Sequence, residues 1–361
     1  VAVQTLSLSG FRCFDSEVIE PHPDGLTVLR GPNGAGKTSV LEAIFWLAHG
    51  RSWRTSARDA LVRNGTQGAI VRAEVTVTGR RLPVEADLPL TGVSRVRVNR
   101  QPVSRRSAVA EVLRVVLFSP DDLALVHAGP AGRRQLLDDI LVGSHPRFES
   151  LQRDVDRILR QRGALLQQSP GRFDGAAAAT LDVWDERLAR AGTDLVRARE
   201  SLVAALQEPV ASAHHRITGG GPQVHLTYRR SWGGDLAEAL ARGRQEDLRR
   251  RTTGVGPHRD ELEIALDERP ARTQASQGEQ RSVALALRLG SFQLARTDGG
   301  IYPVLLLDDV FSELDPVRSR ALVAELPLGQ VLLTTAVDPP PAVAPDRIFD
   351  VAAGRIAASV R

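Results

Sequence analysis

The chain has 361 residues, 42% of them hydrophobic, and its 47 basic side chains against 43 acidic ones give a formal net charge of +4. That length and apolar content suit two domains or one large α/β unit with an inserted lobe, and they exclude a disordered tail protein. One cysteine, Cys13, cannot form an internal disulfide and fits a reducing compartment, and no apolar run is long enough to cross a bilayer.

The first 30 residues alternate apolar and polar types and hold no secretory h-region, so a cytoplasmic protein is expected. Position 1 is valine in a chain without methionine, which points to a non-standard start codon or an altered terminus. Val3, Thr5 and Ser7 alternate with Gln4, Leu6 and Leu8 in an opening strand that leads into residues 11–14. A second strand, Leu26–Arg30, ends at a glycine loop, and residues 38–49 read as a helix. Between residues 69 and 98, valines at period two with Gly and Pro breaks predict antiparallel strands. Residues 112–118 predict another strand, closed by Ser119-Pro120.

The middle of the chain changes period. Phe148, Leu151, Val155, Ile158 and Leu165 follow a heptad, with Arg162 at the remaining seam position. After a break at Ser169-Pro170-Gly171, Leu181, Trp184, Leu188, Ala191, Leu195, Ala198, Leu202 and Ala205 step by three and four in alternation. The pair predicts a short antiparallel helical hairpin, whose second arm spans roughly 40 Å at ~1.5 Å per residue. Gly219-Gly220-Gly221-Pro222 is a loop and residues 224–228 a short strand. Arg242, Arg244, Arg249, Arg250 and Arg251 read as a solvated helix face, with a phosphate-facing patch as the alternative. From Gly254 the α/β pattern returns: a strand over 262–266, a helix over 276–296, strands 304–307 and Val331–Thr335, and a terminal pair near 347–351 and 356–360.

Gly31-Pro32-Asn33-Gly34-Ala35-Gly36-Lys37-Thr38 matches G-x-x-x-x-G-K-[ST] in full. Glycines let backbone N–H groups turn inward around an oxyanion, and the following helix N-terminus favours anions. Lys37 is the single lysine of the chain, the other basic residues being arginine. Such a drift reads as genome composition, which spares a lysine only where the wider guanidinium cannot serve. Lys37 reaches the β- and γ-phosphates of ATP, and the Thr38 hydroxyl binds Mg²⁺. The run Val304-Leu305-Leu306-Leu307-Asp308-Asp309 supplies the acidic partner. Four apolar residues make a buried parallel strand, Asp308 meets Mg²⁺, and Asp309 lies where a water-activating carboxylate is expected.

Further stretches narrow the class. Ser276-Gln277-Gly278-Glu279-Gln280 looks like the S-x-G-x-Q signature of ABC-type ATPases, and Ser312-Glu313-Leu314-Asp315 like their D-loop. With residues 6–14 (LSLSGFRCF), 118–123 (FSPDDL), Arg133-Arg134 and 254–262 (GVGPHRDEL), the chain resembles the RecF family of bacterial recombination mediators, relatives of the SMC and Rad50 heads. GPHRD is the most specific of these stretches.

The resemblance implies an α/β P-loop ABC-type ATPase head with mixed sheets and an inserted helical lobe containing the hairpin. It divides the chain into an N-terminal ATPase part (1–125), a helical lobe (126–253) and a C-terminal ATPase part (254–361). It also implies a nucleotide site that adds Arg12 and Ser39 to residues 31–38, and that is completed by Ser276, Gly278 and Gln280 of a second copy. ATP-driven homodimers would clamp double-stranded DNA near single-strand gaps, partner RecR and RecO and help load RecA during recombinational repair and replication restart. Arg51, Arg54, Arg58 and Arg63 are the candidate DNA contacts, with nucleotide contact or an ordinary surface role as alternatives.

The chain departs from the ABC pattern at three places. Residues 117–122 lack the Q-loop glutamine, leaving Ser119 or Asp121 to act instead. Thr334-Thr335 stand where a switch histidine would follow the last core strand, and Asp309 replaces the commoner glutamate, one methylene longer. Slow DNA-linked hydrolysis is therefore expected. A transporter nucleotide subunit is disfavoured by the helical hairpin and GPHRD, an SMC-type structural ATPase by the hairpin's shortness, and a small-molecule kinase by the Ser276 stretch.

Overall fold

The computed structural model describes residues 1–168, 175–297, 302–312, 314–325, 329–336 and 344–359. The chain opens with β1 (Ala2–Phe11), β2 (Phe14–Ile19) and β3 (Leu26–Arg30), then α1 (Lys37–His49). There follow β4 (Gly68–Val77), β5 (Arg80–Pro89), β6 (Arg95–Val98), β7 (Gln101–Val103), α2 (Arg106–Ala110) and β8 (Val115–Phe118). The helices α3 (Ala124–His127), α4 (Pro130–Ser144), α5 (Pro146–Gln168) and α6 (Gly175–Thr218) come next, then β9 (Val224–Arg229), α7 (Leu236–Arg250), β10 (Glu261–Leu266), β11 (Arg269–Pro270) and α8 (Ala271–Gln274). The last elements are α9 (Gln277–Thr297), β12 (Val304–Asp308), α10 (Pro316–Glu325), β13 (Val331–Thr335), β14 (Arg347–Ala352) and β15 (Arg355–Ala358).

Contacts divide the chain into two compact units: Val1–Leu123, Pro209–Gly221 and Arg281–Arg361 form the first, Ala124–Glu208 and Pro222–Gln280 the second. Sequence pattern sets the return to the first unit at residue 254, whereas contacts set it at Arg281 and assign Pro209–Gly221 there as well. Two of these division points fall inside the continuous helices α6 and α9, where no shift in composition marks them.

The first unit holds two six-stranded sheets. One is antiparallel in its pairings, in the order β2-β1-β4-β5-β6-β7; the other runs β15-β14-β3-β13-β12-β8 and is parallel from β14 to β8. Every residue of β12 and β13 is buried, as an apolar run in the middle of a parallel sheet requires. Helix α1 is buried along nearly its whole length and touches strands of both sheets, so it is apolar all round rather than amphipathic. Gly50 ends it in the left-handed conformation, returning its N–H to the Trp46 carbonyl. The buried Gln330 ties the sheets together: its amide nitrogen donates to the Val3 carbonyl (2.8 Å) and its oxygen accepts from the Val3 N–H (2.7 Å).

Strand β8 is shorter than the expected 112–118. Val112 and Leu113 both return their N–H groups to the Val109 carbonyl, completing a turn after α2 before the strand begins. Val360, expected in the last strand, lies outside the described residues, as do the break Ser169-Pro170-Gly171 and Glu313 of the D-loop.

The second unit is built on α5 and α6. The seam of α6 drifts from the expected heptad: Ala205 is exposed and Leu206 buried, and in the stretch of α6 that belongs to the first unit the buried line continues through Val210, Ala213 and Ile217. A straight helix at 3.6 residues per turn leaves a strict seven-residue repeat behind within a few turns. On α5, Arg162 is fully buried and pairs with Asp185 of α6 and Asp247 of α7. The Arg242–Arg250 stretch lies on α7, where Arg242, Arg249 and Arg250 pair with Glu238 and Glu246, and Arg244 with Asp182 and Asp185. These arginines form a neutralised helix face.

Candidate nucleotide site

The loop between β3 and α1 is held open by glycines. A Cβ on Gly31 would lie 2.0 Å from the Val351 carbonyl oxygen of β14, and one on Gly36 would lie 2.6 Å from Cys13 Sγ. Gly36 also has φ 112, a conformation that L side chains rarely adopt. The loop thus keeps its shape because neighbouring chain packs against it where any side chain would intrude. Cys13, which the sequence left without a role, forms part of that wall.

Lys37 is buried at the first turn of α1, and its Nζ donates to the carbonyls of Gly31 (2.7 Å) and Pro32 (2.9 Å). Burial pushes its pKa down, and the carboxylates of Asp309 and Asp308 work in the opposite direction. The Thr38 hydroxyl donates to Asp308 Oδ1 at 2.7 Å, so β12 delivers its terminal carboxylate to the loop across the intervening strand β13. Burial raises the pKa of Asp308, while hydrogen bonds from Thr334 and Thr38 and the charge of Arg54 lower it. A divalent cation beside Asp308 would hold it ionised. Thr38 Oγ1 and Asp308 Oδ1 are hard oxygen donors close together, which fits Mg²⁺ binding with a substrate phosphate completing the shell.

Thr334, at the end of β13, links the two acids. Its hydroxyl donates to Asp308 Oδ1 (2.7 Å) and accepts from the Asp309 N–H (2.9 Å). Asp309 has φ 47, and its Oδ2 accepts from the Ser312 hydroxyl at 3.0 Å. The residue standing in the switch-histidine position therefore fixes the carboxylate of Asp308 and the backbone of Asp309. Thr334→Val keeps the shape but removes the donor to Asp308 and leaves the Asp309 N–H unpaired. Single-turnover hydrolysis should slow by about tenfold or more while ATP affinity stays within about threefold of wild type. Thr334→Ser should restore the rate, and wild-type turnover by Thr334→Val would remove Thr334 from the site.

The other sequence-predicted residues are placed as follows. Ser39 is buried in the first turn of α1. Arg12 binds the fully buried Glu42 through Nε (2.8 Å) and Nη2 (2.6 Å), and its Nη1 donates to the Ala60 carbonyl. Glu42 was missed by sequence reasoning, although a lone acid within the apolar stretch from Val40 to Ala48 signals a buried charge that needs a partner. Arg54 also approaches Glu42 (3.5 Å), Arg51 lies over the Phe45 ring, Arg58 donates to the Gly92 carbonyl, and Arg63 donates to the Cys13 carbonyl. In the Q-loop region Ser119 is buried and its N–H donates to Asp122, which also pairs with Arg288, while Asp121 is exposed. Asp315 caps α10, accepting from the Arg318 N–H at 3.0 Å.

In the second unit, Ser276 is exposed before α9. Its N–H donates to Glu279 Oε2 (2.7 Å) and its hydroxyl accepts from the Glu279 N–H (3.3 Å), a reciprocal capping box. Gln280 donates through Nε2 to the carbonyls of Ala271 and Ala275, fixing the approach to the helix. The serine is thus held at an open helix N-terminus. The 254–262 stretch knits this unit internally. Arg199 donates to the Pro257 carbonyl and binds Asp138 through both Nε and Nη2. Asp260 accepts from the Tyr228 hydroxyl and the Ser231 N–H, and Arg133 grips Glu261. His258 Nε2 donates to the Thr253 carbonyl (3.1 Å), and burial pushes the ring's pKa down to about 4.

The RecF/RecN/SMC N-terminal domain family matches residues 2–336. The DNA replication and repair protein RecF of Streptomyces avermitilis is 43% identical over 352 residues, covering 93% of this chain and 94% of that protein. The chain belongs to the RecF family. The solved structure of the recombination mediator RecF with ATP, from the RecFOR pathway, superposes with a TM-score of 0.91 at 26% identity, covering 99% of this chain and 98% of that one. An Smc head from Pyrococcus furiosus, bound to the C-terminal domain of ScpA, has a TM-score of 0.58 at 17% identity over 99% of this chain and 96% of its own, a likeness of fold. The chain is therefore an SMC-type ATPase head in architecture, and among its described residues no helix is long and apolar enough to cross a membrane.

Proposed function

We propose that the chain is an ATP-dependent DNA-binding protein of recombinational repair and replication restart, working as a dimer that closes on double-stranded DNA when ATP binds. The observation that carries this reading is the direct bond from Thr38 to Asp308, which joins the phosphate loop to the acidic strand around one cation position. Lys37 and Thr38 of one copy hold ATP and Mg²⁺, and the exposed capping box of Ser276 on a second copy, with Gly278 and Gln280, closes on the γ-phosphate. Hydrolysis, slow with an aspartate at 309 and threonine in the switch position, releases the DNA. RecR and RecO, which the family resemblance implies as partners, and gapped DNA are the expected company, in the cytoplasm.

The test pairs two measurements. Wild-type protein should bind duplex DNA more tightly with ATP than without, and more weakly as salt rises, because phosphate contacts release counterions. Ser276→Arg should bind ATP as a monomer yet fail to dimerise in a sizing experiment with ATP and Mg²⁺. Normal ATP-driven dimerisation by Ser276→Arg would end the composite-site reading.

A further inference from the structure

Between Arg72 and Arg105 stand seven arginines against three carboxylates, an excess of four. This segment builds β4 to β7 of the antiparallel sheet. Arg72 and Arg97 share Glu85, and Arg95 stands opposite Asp87 in register. Arg80, Arg81, Arg95, Arg100 and Arg105 are exposed, and the side chain of none of the five makes a hydrogen bond or ion pair among the described residues. The arginines of α7, by contrast, are paired with acids.

Three of the five sit together by topology. Thr78-Gly79 joins β4 to β5 and Asn99-Arg100 joins β6 to β7, each a two-residue turn with both φ values positive (46 and 79, 49 and 65). The Asn99 N–H donates to the Pro83 carbonyl at 2.8 Å, locking the second turn beside the start of β5, where Arg80 and Arg81 lie. Arg100 occupies a left-handed position that glycine fills with least strain. A strained charged residue at a rigid, exposed tip points to a role outside folding.

We propose that Arg80, Arg81 and Arg100 form a surface that contacts the phosphate backbone of duplex DNA, deepening the DNA-binding reading on which it rests. The chemistry selects duplex over single strands. Residues 72–105 contain no aromatic side chain on which bases could stack, and a two-stranded ribbon fits a duplex groove. It also disfavours a lipid surface: the exposed apolar residues Leu90 and Val93 belong to the loop at the other end of β5, away from the basic turns.

The experiment compares duplex binding by the wild-type chain and by Arg80→Gln/Arg81→Gln/Arg100→Gly, in ATP and Mg²⁺ across a salt series. Three lost phosphate contacts should reduce the slope of log affinity against log salt by about 2 to 3, and Arg100→Gly alone by about 1. Glycine suits that turn, so the single variant should fold as wild type does. ATP affinity should be unchanged, and Arg249→Gln/Arg250→Gln, on the acid-paired face of α7, should keep the wild-type slope. If wild type binds duplex in an ATP-dependent way and the triple variant keeps its slope, the surface is wrong while the functional reading survives. Tighter wild-type binding to phosphatidylserine vesicles than to duplex also overturns the surface. Absence of ATP-dependent duplex binding by wild type overturns the functional reading itself.

Discussion

Lys37→Ala is expected to weaken ATP binding by about a hundredfold or more, the cost of removing a buried ammonium whose partner phosphates then lose their counter-charge. The ammonium is already desolvated, and it spends two of its three protons on carbonyls of its own loop. A phosphate therefore meets a donor fixed in place, with little further ordering to bear. Lys37→Arg should fail almost as badly. The loop is walled by Cys13 and Phe14, which approach Gly36 within the reach of a single added carbon, and the planar guanidinium cannot fold back into that space. Titration with a fluorescent ATP analogue checks the affinity. A thermal melt gives the second readout, since the wild type should gain stability with ATP by mass action and Lys37→Ala should gain none. Lys37→Ala binding within tenfold of wild type would mean that the loop is not the nucleotide site.

The parts of this site that are local in sequence were legible there. A glycine loop between an apolar strand and a helix, and an apolar run ending in two aspartates, state their chemistry through spacing alone. Contacts made by the returning chain were not legible. Nothing in the sequence says that Val351 presses on Gly31, that Cys13 backs Gly36, or that Thr334 spans Asp308 and Asp309. Val351 and Thr334 lie far along the chain and are brought in by the order of the parallel strands, while Cys13 comes from the turn between β1 and β2 of the other sheet. The arginines show the same limit from the other side. Composition made them look interchangeable, but Arg244 is bound to acids, Arg162 is fully buried, and Arg100 stands bare on a turn.

The Ser276 stretch carries two meanings that sequence cannot separate. S-x-x-E before a helix is a capping box wherever it occurs, and the reciprocal bonds to Glu279 are present in the single chain. A capping role alone predicts that Ser276→Arg costs some helix stability and nothing more. The composite site predicts a monomer that binds ATP and cannot pair. Those outcomes diverge in the sizing experiment, whatever happens to the melting temperature.

Arg162→Ala is expected to destabilise the second unit by about 3–5 kcal/mol, a large effect for a residue far from the phosphate loop in sequence. The heptad marks position 162 as a seam site where a leucine would serve, and the chain places an arginine there with no exposed surface. Its Nε donates to Asp185 (2.7 Å), its Nη1 donates to the Thr253 hydroxyl (2.8 Å) and lies 2.7 Å from Asp247 Oδ2. Asp247 is itself buried and accepts the Gly254 N–H through its other oxygen (2.8 Å). Removing the guanidinium leaves that carboxylate uncompensated and opens a void at the seam. Arg162→Leu fills the void but not the charge deficit, so it should recover only part of the loss. Arg162→Leu with Asp247→Asn removes the charge while keeping an acceptor for Gly254, and should return to within about 2 kcal/mol of wild type. Urea denaturation followed by circular dichroism orders the three variants. An Arg162→Ala loss below about 1 kcal/mol would show that the buried triad is no determinant of this unit. Because Thr253 and Gly254 lead directly into the GPHRD stretch, the destabilised variant should also lose hydrogen-exchange protection at Gly256, whose N–H is held by Ser231.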